Sequence, residues 1–268
     1  MGLVDSHCHL DAAEFDADRA AVAARAAAAG IKTIVVPAIE RGNFGAVASV
    51  CREHAGCVAA YGIHPLCVGR AYEEDDLAAL AEMLRSERPV AVGEIGLDHF
   101  IADRDEARQE RFFVAQLKLA RELQLPVLLH VRRAVDAVLK QLRRICVTGG
   151  IAHAFNGSRQ QADIFIQLGF KLGFGGAMTY PRATHLRELA ATLPLESIVL
   201  ETDAPDIPPA WLTSASRNEP AELARIAAAL AELRGLPLAD VIAATTANAR
   251  TVLPGLDSVQ DVRNQPVG

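Results

Sequence analysis

Eight short apolar runs, rich in residues that favour β-strands, recur along the chain, and each is separated from the next by enough residues for a helix. The runs are continuous rather than alternating, which is typical of strands that are covered on both faces. Because a helical crossover makes two successive strands parallel, the pattern predicts repeated strand–helix units. The runs are Leu3–Cys8, Ile31–Val36, Cys57–Ile63, Val90–Gly93, Pro126–Leu129, Gly150–Ala152, Phe170–Phe174 and Ser197–Leu200.

Eight such units predict an α/β protein that closes into a (β/α)8 barrel, also called a TIM barrel. The chain has 268 residues, and a single barrel takes about 250. One domain over residues 1–256 therefore accounts for it, followed by a polar C-terminal tail over residues 257–268. The main alternative is an open, doubly wound sheet, which would often carry a glycine-rich phosphate loop after its first strand. This chain has Asp5-Ser6-His7-Cys8-His9 there.

The spacing of apolar residues also predicts the longer helices. Two of them cover Arg104–Leu123 and Ala134–Arg144, between predicted strands. Two more, over Glu219–Arg234 and Ala239–Val252, follow the eighth strand. We expect the last of these to be an addition to the eight units that covers the barrel.

Composition limits the functional classes. No apolar run reaches the roughly 20 residues that span a bilayer, and the start lacks the pattern of a signal peptide. The five cysteines show no framework spacing, so we expect reduced thiols in a cytoplasmic protein, most simply a monomer. A net charge of −6 argues against a surface that coats nucleic acid. This charge still allows an enzyme that binds a few phosphates at a local site.

Polar residues collect where the predicted strands end, which in a barrel is the face that carries the active site. Five of the eight histidines lie at such ends. Each residue alone has an ordinary explanation, such as a core histidine, a solvated carboxylate or a turn cap. Together they would need several coincidences, and they can hold two divalent ions with a bridging carboxylate. The predicted ligands are His7, His9, Glu94, His130, His153 and Asp203.

The predicted ligands stand in short motifs that follow one another along the chain: Asp5-Ser6-His7-Cys8-His9-Leu10-Asp11, Gly62-Ile63-His64-Pro65, Gly93-Glu94-Ile95-Gly96-Leu97-Asp98, His130-Val131-Arg132, His153-Ala154-Phe155-Asn156-Gly157 and Glu201-Thr202-Asp203-Ala204-Pro205. As an ordered set that covers nearly the whole chain, these motifs resemble the TatD family of metal-dependent deoxyribonucleases. Asn248-Ala249 is similar to the closing asparagine motif of that family.

The resemblance implies a (β/α)8 hydrolase that cleaves DNA phosphodiester bonds, often as a 3′→5′ exonuclease, with magnesium, manganese or zinc. It places one ion among His7, His9, Glu94 and Asp203, and a second among Glu94, His130 and His153. In the mechanism that we expect, Asp203 is the general base and Glu94 bridges the ions.

Two further residues are expected to contact substrate. Arg132 would meet the charge that develops on the phosphate. His64 would contact substrate or support a ligand, although a structural turn at Pro65 explains it equally well. Phe155 or Tyr180 could stack on a base. Three arginines could extend a phosphate track, but solvated surface charges explain them more simply: Arg133, Arg159 and Arg182.

Two departures from the family pattern bear on the substrate. Val131-Arg132-Arg133 stands where the family often has Ser-Arg-Asp or Ser-Arg-Glu, and His153-Ala154-Phe155-Asn156-Gly157 where it usually has His-Cys-Phe-Ser-Gly. Both spare the ligands and alter the surrounding pocket. A metal-dependent amide, ester or lactone hydrolase acting on a small molecule is the alternative enzyme. A structural metal protein is disfavoured, because such sites are usually closed and rich in cysteine.

Overall fold

A computed structural model of the protein describes residues 2–213 and 216–256. Eight parallel strands pair in the order of the sequence, β1 beside β2 and so on to β8. The predicted tail, residues 257–268, lies outside the described residues. The strands are β1 (Leu3–Asp5), β2 (Ile31–Pro37), β3 (Cys57–Tyr61), β4 (Ala91–Asp98), β5 (Val127–Arg132), β6 (Gly150–Ala152), β7 (Phe170–Phe174) and β8 (Ile198–Leu200).

Hydrogen bonds between the ends of β1 and β8 bring the first and last strands together. The backbone N–H of Ser6 donates to the carbonyl of Leu200 at 3.0 Å. The Asp5 carboxylate accepts from the backbone N–H and the hydroxyl of Thr202, at 3.0 and 2.6 Å. Burial raises the pKa of Asp5 to about 8, against the opposing effect of these hydrogen bonds. The sheet is thus a nearly closed barrel, and the predicted (β/α)8 fold is confirmed.

Helices connect the strands and surround the sheet. The two helices predicted between strands are confirmed as α4 and α5, which begin two residues and one residue later than expected. The helix predicted from Glu219 begins with a short 3-10 turn, Pro220–Glu222, before α8. The helices are α1 (Arg19–Ala28), α2 (Phe44–Glu53), α3 (Glu73–Glu87), α4 (Glu106–Leu123), α5 (Val135–Arg144), α6 (Arg159–Gln167), α7 (Thr184–Thr192), α8 (Leu223–Arg234) and α9 (Leu238–Val252).

Strand β4 is longer than the sequence indicated. It runs over Ala91–Asp98 instead of ending at Gly93. Its pairing with β5 shifts between Val92 and Ile95. Glu94 therefore lies inside this irregular part of the strand, not after it. The apolar run stops at Gly93 because the sequence turns polar there, whereas backbone pairing continues.

Helix α9 closes the barrel at the end where the strands begin. Its apolar side and the residues after it, Ala249, Val252, Leu253 and Leu256, form one buried cluster with side chains of the barrel interior such as Val4 and Val58. The Thr246 hydroxyl donates to the carbonyl of Gly2, just before β1. The expectation that this helix covers the barrel is confirmed, and the opposite end is left open. No helix in the described part of the chain is long and apolar enough to cross a membrane.

Asn248 anchors α9, and its replacement is expected to destabilise the fold. Its side-chain amide donates to the carbonyls of Leu195 and Ile198, both at 2.8 Å. Asn248→Ala leaves two buried carbonyls without these donors, so we expect the free energy of unfolding to fall by about 2 kcal/mol. Urea denaturation measures this. Thr251→Ala, an exposed position on the same helix, is the control, and equal losses for both variants would contradict the anchoring role.

Candidate metal centre

Five imidazole rings face the carboxylate of Glu94 at the open end of the barrel. Glu94 is buried at the floor of this cluster. The distances from its oxygens to the nearest ring nitrogens are 3.2 Å to His7, 3.5 Å to His9, 3.4 Å to His64, 3.0 Å to His130 and 2.8 Å to His153.

The two oxygens of Glu94 face different histidines. Oε2 lies nearest the Nε2 atoms of His7 and His9, which are 3.3 Å apart. Asp203 completes this side, because its Oδ1 is 3.6 and 3.8 Å from the same two nitrogens. Oε1 instead faces His64, His130 and His153. Glu94 therefore stands between two groups of donors, as a bridging carboxylate would.

His7 and His9 reach the same place by a route that differs from the prediction. Alternation along a strand was the reason to expect both rings on one face. The β1 ladder, however, ends at Asp5, so both histidines lie on the segment just beyond it. This segment continues to follow its neighbours: the N–H of Cys8 donates to the carbonyl of Val35 in β2. The two rings converge on this segment, with their Nε2 atoms 3.3 Å apart.

The histidines and carboxylates of the cluster shift one another's pKa values. Burial alone would raise the pKa of Glu94, but the surrounding histidines hold it well below its ordinary value. Burial opposes protonation of His9, yet Glu94 and Asp203 raise its pKa to about 9. Burial likewise opposes protonation of His153, but Glu94 and Glu201 raise its pKa well above its usual range. Burial raises the pKa of Asp203 to about 6. A buried carboxylate that stays charged needs a cation or hydrogen-bond donors beside it.

The donor atoms fit a divalent metal. Three groups of ligand atoms lie within 4.8 Å of one another: His7, His153 and Asp203; His7, His9 and Glu94; and His64, Glu94 and His130. Imidazole nitrogens and carboxylate oxygens suit zinc, manganese and related ions, and thiolates are absent from all three groups. The six predicted ligands thus lie together at the open end of the barrel, and their donor chemistry fits a divalent ion. The third group also contains His64, which the sequence did not predict as a ligand.

Two buried carboxylates, whose roles the sequence did not reveal, lie beside the histidines of the second group. Asp98 Oδ2 is 3.1 Å from His130 Nε2, and the other ring nitrogen, Nδ1, lies 3.0 Å from Glu94 Oε1. Glu201 Oε1 lies 3.7 Å from His153 Nδ1, on the side of the ring away from Glu94. Gly173 makes room for Glu201, because a Cβ there would lie 2.1 Å from the carboxylate. The only sequence signal was that both carboxylates stand inside the motifs quoted above.

A backbone hydrogen bond fixes the tautomer of His64. Its Nδ1 accepts a hydrogen bond from the backbone N–H of Leu66 at 3.1 Å. Burial lowers the pKa of His64, so the ring is neutral and carries its proton on Nε2, which faces Glu94. A protonated nitrogen donates a hydrogen bond and cannot ligate a metal. This geometry agrees with the prediction that His64 supports the site or contacts substrate.

The cluster forms the floor of an open cavity of about 1140 Å³. Phe155, one of two predicted stacking aromatics, is buried edge-on against Phe165. The other, Tyr180, donates its hydroxyl to the carbonyl of Pro208. The aromatic ring exposed at the mouth is Phe100, which is 46% exposed and which sequence reasoning missed.

Comparison with known proteins decides the family. The family model described as TatD related DNase matches residues 4–254. The chain belongs to this family. A relative from Escherichia coli K12, the metal-dependent hydrolase YjjV, described as uncharacterized, is 42% identical over 252 residues, 93% of this chain and 96% of that protein. The crystal structure of YJJV, a TatD homologue, superposes with a TM-score of 0.90 at 41% identity, covering 94% of this chain and 98% of the other.

More distant members of the TatD family carry a named activity. The 3'-5' ssDNA/RNA exonuclease TatD of Shigella flexneri is 32% identical over 256 residues, covering 93% of this chain and 98% of that protein. The family consists of hydrolases that act on ester bonds, and the present chain is a metal-dependent hydrolase of that family. The predicted family, fold and enzyme class are thereby confirmed.

Proposed function

We propose that this TatD-family hydrolase is a 3′→5′ exonuclease that cleaves phosphodiester bonds of single-stranded DNA with two divalent ions, magnesium, manganese or zinc. The observation that carries the proposal is the Glu94 carboxylate, whose two oxygens face separate groups of donors at the open end of the barrel. The exonuclease name of relatives about one-third identical supports the choice of substrate.

The proposed ligands divide as the oxygens of Glu94 do. His7, His9, Glu94 and Asp203 would hold one ion, and Glu94, His130 and His153 the other. Bound ions supply Lewis-acid chemistry, which polarises a phosphoryl oxygen and makes water more acidic.

The remaining steps belong to side chains of this protein. Asp203 reaches the cavity and accepts the proton of the attacking water. Arg132, also at the cavity, neutralises charge that develops on the phosphoryl oxygens. His64 donates a hydrogen bond through Nε2, either to Glu94 or to the substrate. Asp98 and Glu201 fix the orientation of their histidine partners while this happens.

The cavity mouth favours a nucleotide over a small neutral ester. The exposed ring of Phe100 and the guanidinium of Arg132 lie together there, with 3.7 Å between the guanidinium carbon and the ring centroid. An aromatic ring and an arginine are the groups that stack on bases and bind phosphates in single-stranded nucleic acid sites. The protein as a whole is acidic, with a net charge of −6, so contact with nucleic acid is confined to this local site.

The proposal also covers the cellular compartment, the oligomeric state and the substrate partner of the enzyme. No disulfide joins the five cysteines, all of which lie within the described residues, and we propose that the protein works in the cytoplasm as a monomer. The substrate partner is DNA.

The proposal is tested with protein stripped of metal by a chelator. Incubated with single-stranded DNA labelled at its 5′ end, this protein is expected to be inactive, and magnesium, manganese or zinc is expected to restore stepwise shortening from the 3′ end. A substrate blocked by a 3′ phosphorothioate linkage serves as the control for polarity. Gel electrophoresis of the products measures the metal dependence and the polarity of cleavage.

Three results would contradict the proposal in different ways. Internal cuts would show an endonuclease. Equal cleavage of RNA would remove the preference for DNA. Metal-dependent hydrolysis of small amides, esters or lactones, without any cleavage of DNA, would establish the alternative enzyme and leave the metal centre intact.

A further inference from the structure

Two adjacent arginines at the cavity mouth share one aromatic ring. The guanidinium carbons of Arg132 and Arg133 lie 3.7 and 4.6 Å from the centroid of Phe100. Both arginines are exposed and line the cavity. Within residues 2–213 and 216–256, neither one forms an ion pair with a carboxylate. In contrast, Arg159, which the sequence grouped with Arg133, pairs with Asp163 at 3.0 Å.

The backbone brings the two arginines onto the same ring. In an extended strand, consecutive side chains point to opposite faces, so Arg133 would point away from Arg132. Arg133 instead has a φ of 54°, in the left-handed region that residues other than glycine rarely adopt. The chain turns there from β5 into α5, and the turn brings the second guanidinium back to Phe100. The surface-charge interpretation of Arg133 does not explain this arrangement.

The shared ring is tied to the metal centre. The backbone N–H of Phe100 donates to Asp98 Oδ1 at 2.8 Å, and Asp98 Oδ2 lies 3.1 Å from His130 Nε2. One buried carboxylate thus fixes both a proposed metal ligand and the loop that carries Phe100. The guanidinium groups on that ring are therefore held at a set position relative to Glu94.

Two neighbouring cations repel each other. The carboxylate of Asp98 offsets part of the charge of Arg132, and a bound anion removes the repulsion that is left. Stacking on an aromatic face holds a guanidinium in place while its N–H groups stay available to a ligand. The fork of these donors matches the oxygens of a phosphate. The phosphate that is hydrolysed must lie beside Glu94 and Asp203. The two arginines at the cavity mouth offer enough hydrogen-bond donors to bind a second phosphate as well.

We propose that Phe100, Arg132 and Arg133 form a subsite for a second backbone phosphate of a polynucleotide, beside the phosphate at the metal centre. The inference rests on the proposed nuclease function and deepens it. Arg133 is the residue that distinguishes the subsite from contacts to the scissile phosphate. The subsite makes a chain of several nucleotides a better substrate than an ester with a single phosphate.

Arg133→Gln tests the subsite, with Arg159→Gln as the matched control, since Arg159 lies on α6 and is paired with Asp163. Steady-state kcat/KM is measured for decathymidylate, which has many phosphates, and for bis(p-nitrophenyl) phosphate, which has one. In the Arg133 variant we expect the ratio of kcat/KM for decathymidylate to that for the small ester to fall about tenfold, mainly through KM. The control is expected to keep the wild-type ratio.

Binding supplies a second readout that needs no turnover. Fluorescence anisotropy of labelled decathymidylate in EDTA, at several salt concentrations, gives the slope of log K against log salt. Loss of one phosphate contact is expected to lower the magnitude of that slope by about 0.7 in the Arg133 variant. Phe100→Leu, which removes the ring that orients both guanidiniums, is expected to weaken binding in the same direction.

The outcomes separate the two proposals. If the wild type cleaves decathymidylate and Arg133→Gln keeps both the substrate ratio and the salt slope, the subsite is wrong and the nuclease function stands. If the control falls as far as the Arg133 variant, the effect is one of general charge and the subsite is also wrong. If the wild type hydrolyses only the small ester, the nuclease function is wrong and the subsite falls with it.

Discussion

Glu94→Gln is expected to lower both metal affinity and kcat/KM by about a thousandfold, because it removes a buried charge on which its partners depend. In the structure each oxygen of Glu94 faces its own group of imidazoles. An amide keeps the shape of the carboxylate but offers one weaker acceptor and, on the other side, two donors. One group of histidines would then face N–H atoms where it now faces an oxygen.

The measurement combines metal content after dialysis, by mass spectrometry, with kcat/KM on single-stranded DNA. Glu122→Gln is the control, because Glu122 forms a solvent-exposed ion pair with Arg85 at 2.9 Å on the outside of the barrel. Circular dichroism and melting temperature establish that the Glu94 variant is folded. A folded Glu94→Gln protein that retains two ions and wild-type activity would refute the bridging role.

The positions of the predicted ligands follow from topology. Parallel strands in a barrel deliver their carboxyl ends to one rim, so residues far apart in sequence, such as His7 and Asp203, must meet there. This is why strand ends alone were enough to propose six ligands. No distance was needed, because the order of strands and the closure of the sheet restrict where those residues can lie.

The parts that the sequence did not reveal depend on contacts between loops and side chains. Asp98 and Glu201 stand inside recognisable motifs, but only the structure shows that Asp98 is hydrogen-bonded to His130 and that Glu201 lies 3.7 Å from His153. The length of β4 depends on pairing with β5, which continues beyond the apolar residues that mark a strand.

The sequence also did not predict which aromatic rings are exposed to solvent. Phe155 and Phe100 are chemically identical, and both follow a strand. Phe155 is buried against Phe165, whereas Phe100 is exposed at the cavity mouth. The difference arises from tertiary packing, which hydrophobic periodicity does not encode. Likewise Arg133 and Arg159 were indistinguishable until the structure paired one with Asp163 and stacked the other on Phe100.

Asp203→Ala is expected to lower kcat by about a thousandfold, within the range that general base catalysis contributes. Asp203 Oδ1 lies 3.6 and 3.8 Å from the Nε2 atoms of His7 and His9, and its carboxylate reaches the cavity. Alanine can neither accept a proton nor contribute an oxygen ligand. Asp206→Ala, an exposed carboxylate in the same loop, is the control and is expected to stay within about twofold of the wild type.

Rescue by a small carboxylate separates the two contributions of Asp203. If Asp203 accepts the proton, added formate is expected to enter the space left in Asp203→Ala and raise kcat in proportion to its concentration, while leaving the control unchanged. Metal content, measured on the same samples, shows whether the ions remain. A variant that keeps its metal and is inactive with or without formate would remove Asp203 from the role of base. A variant that loses one ion and regains activity when metal is supplied in excess would show that Asp203 acts as a ligand alone.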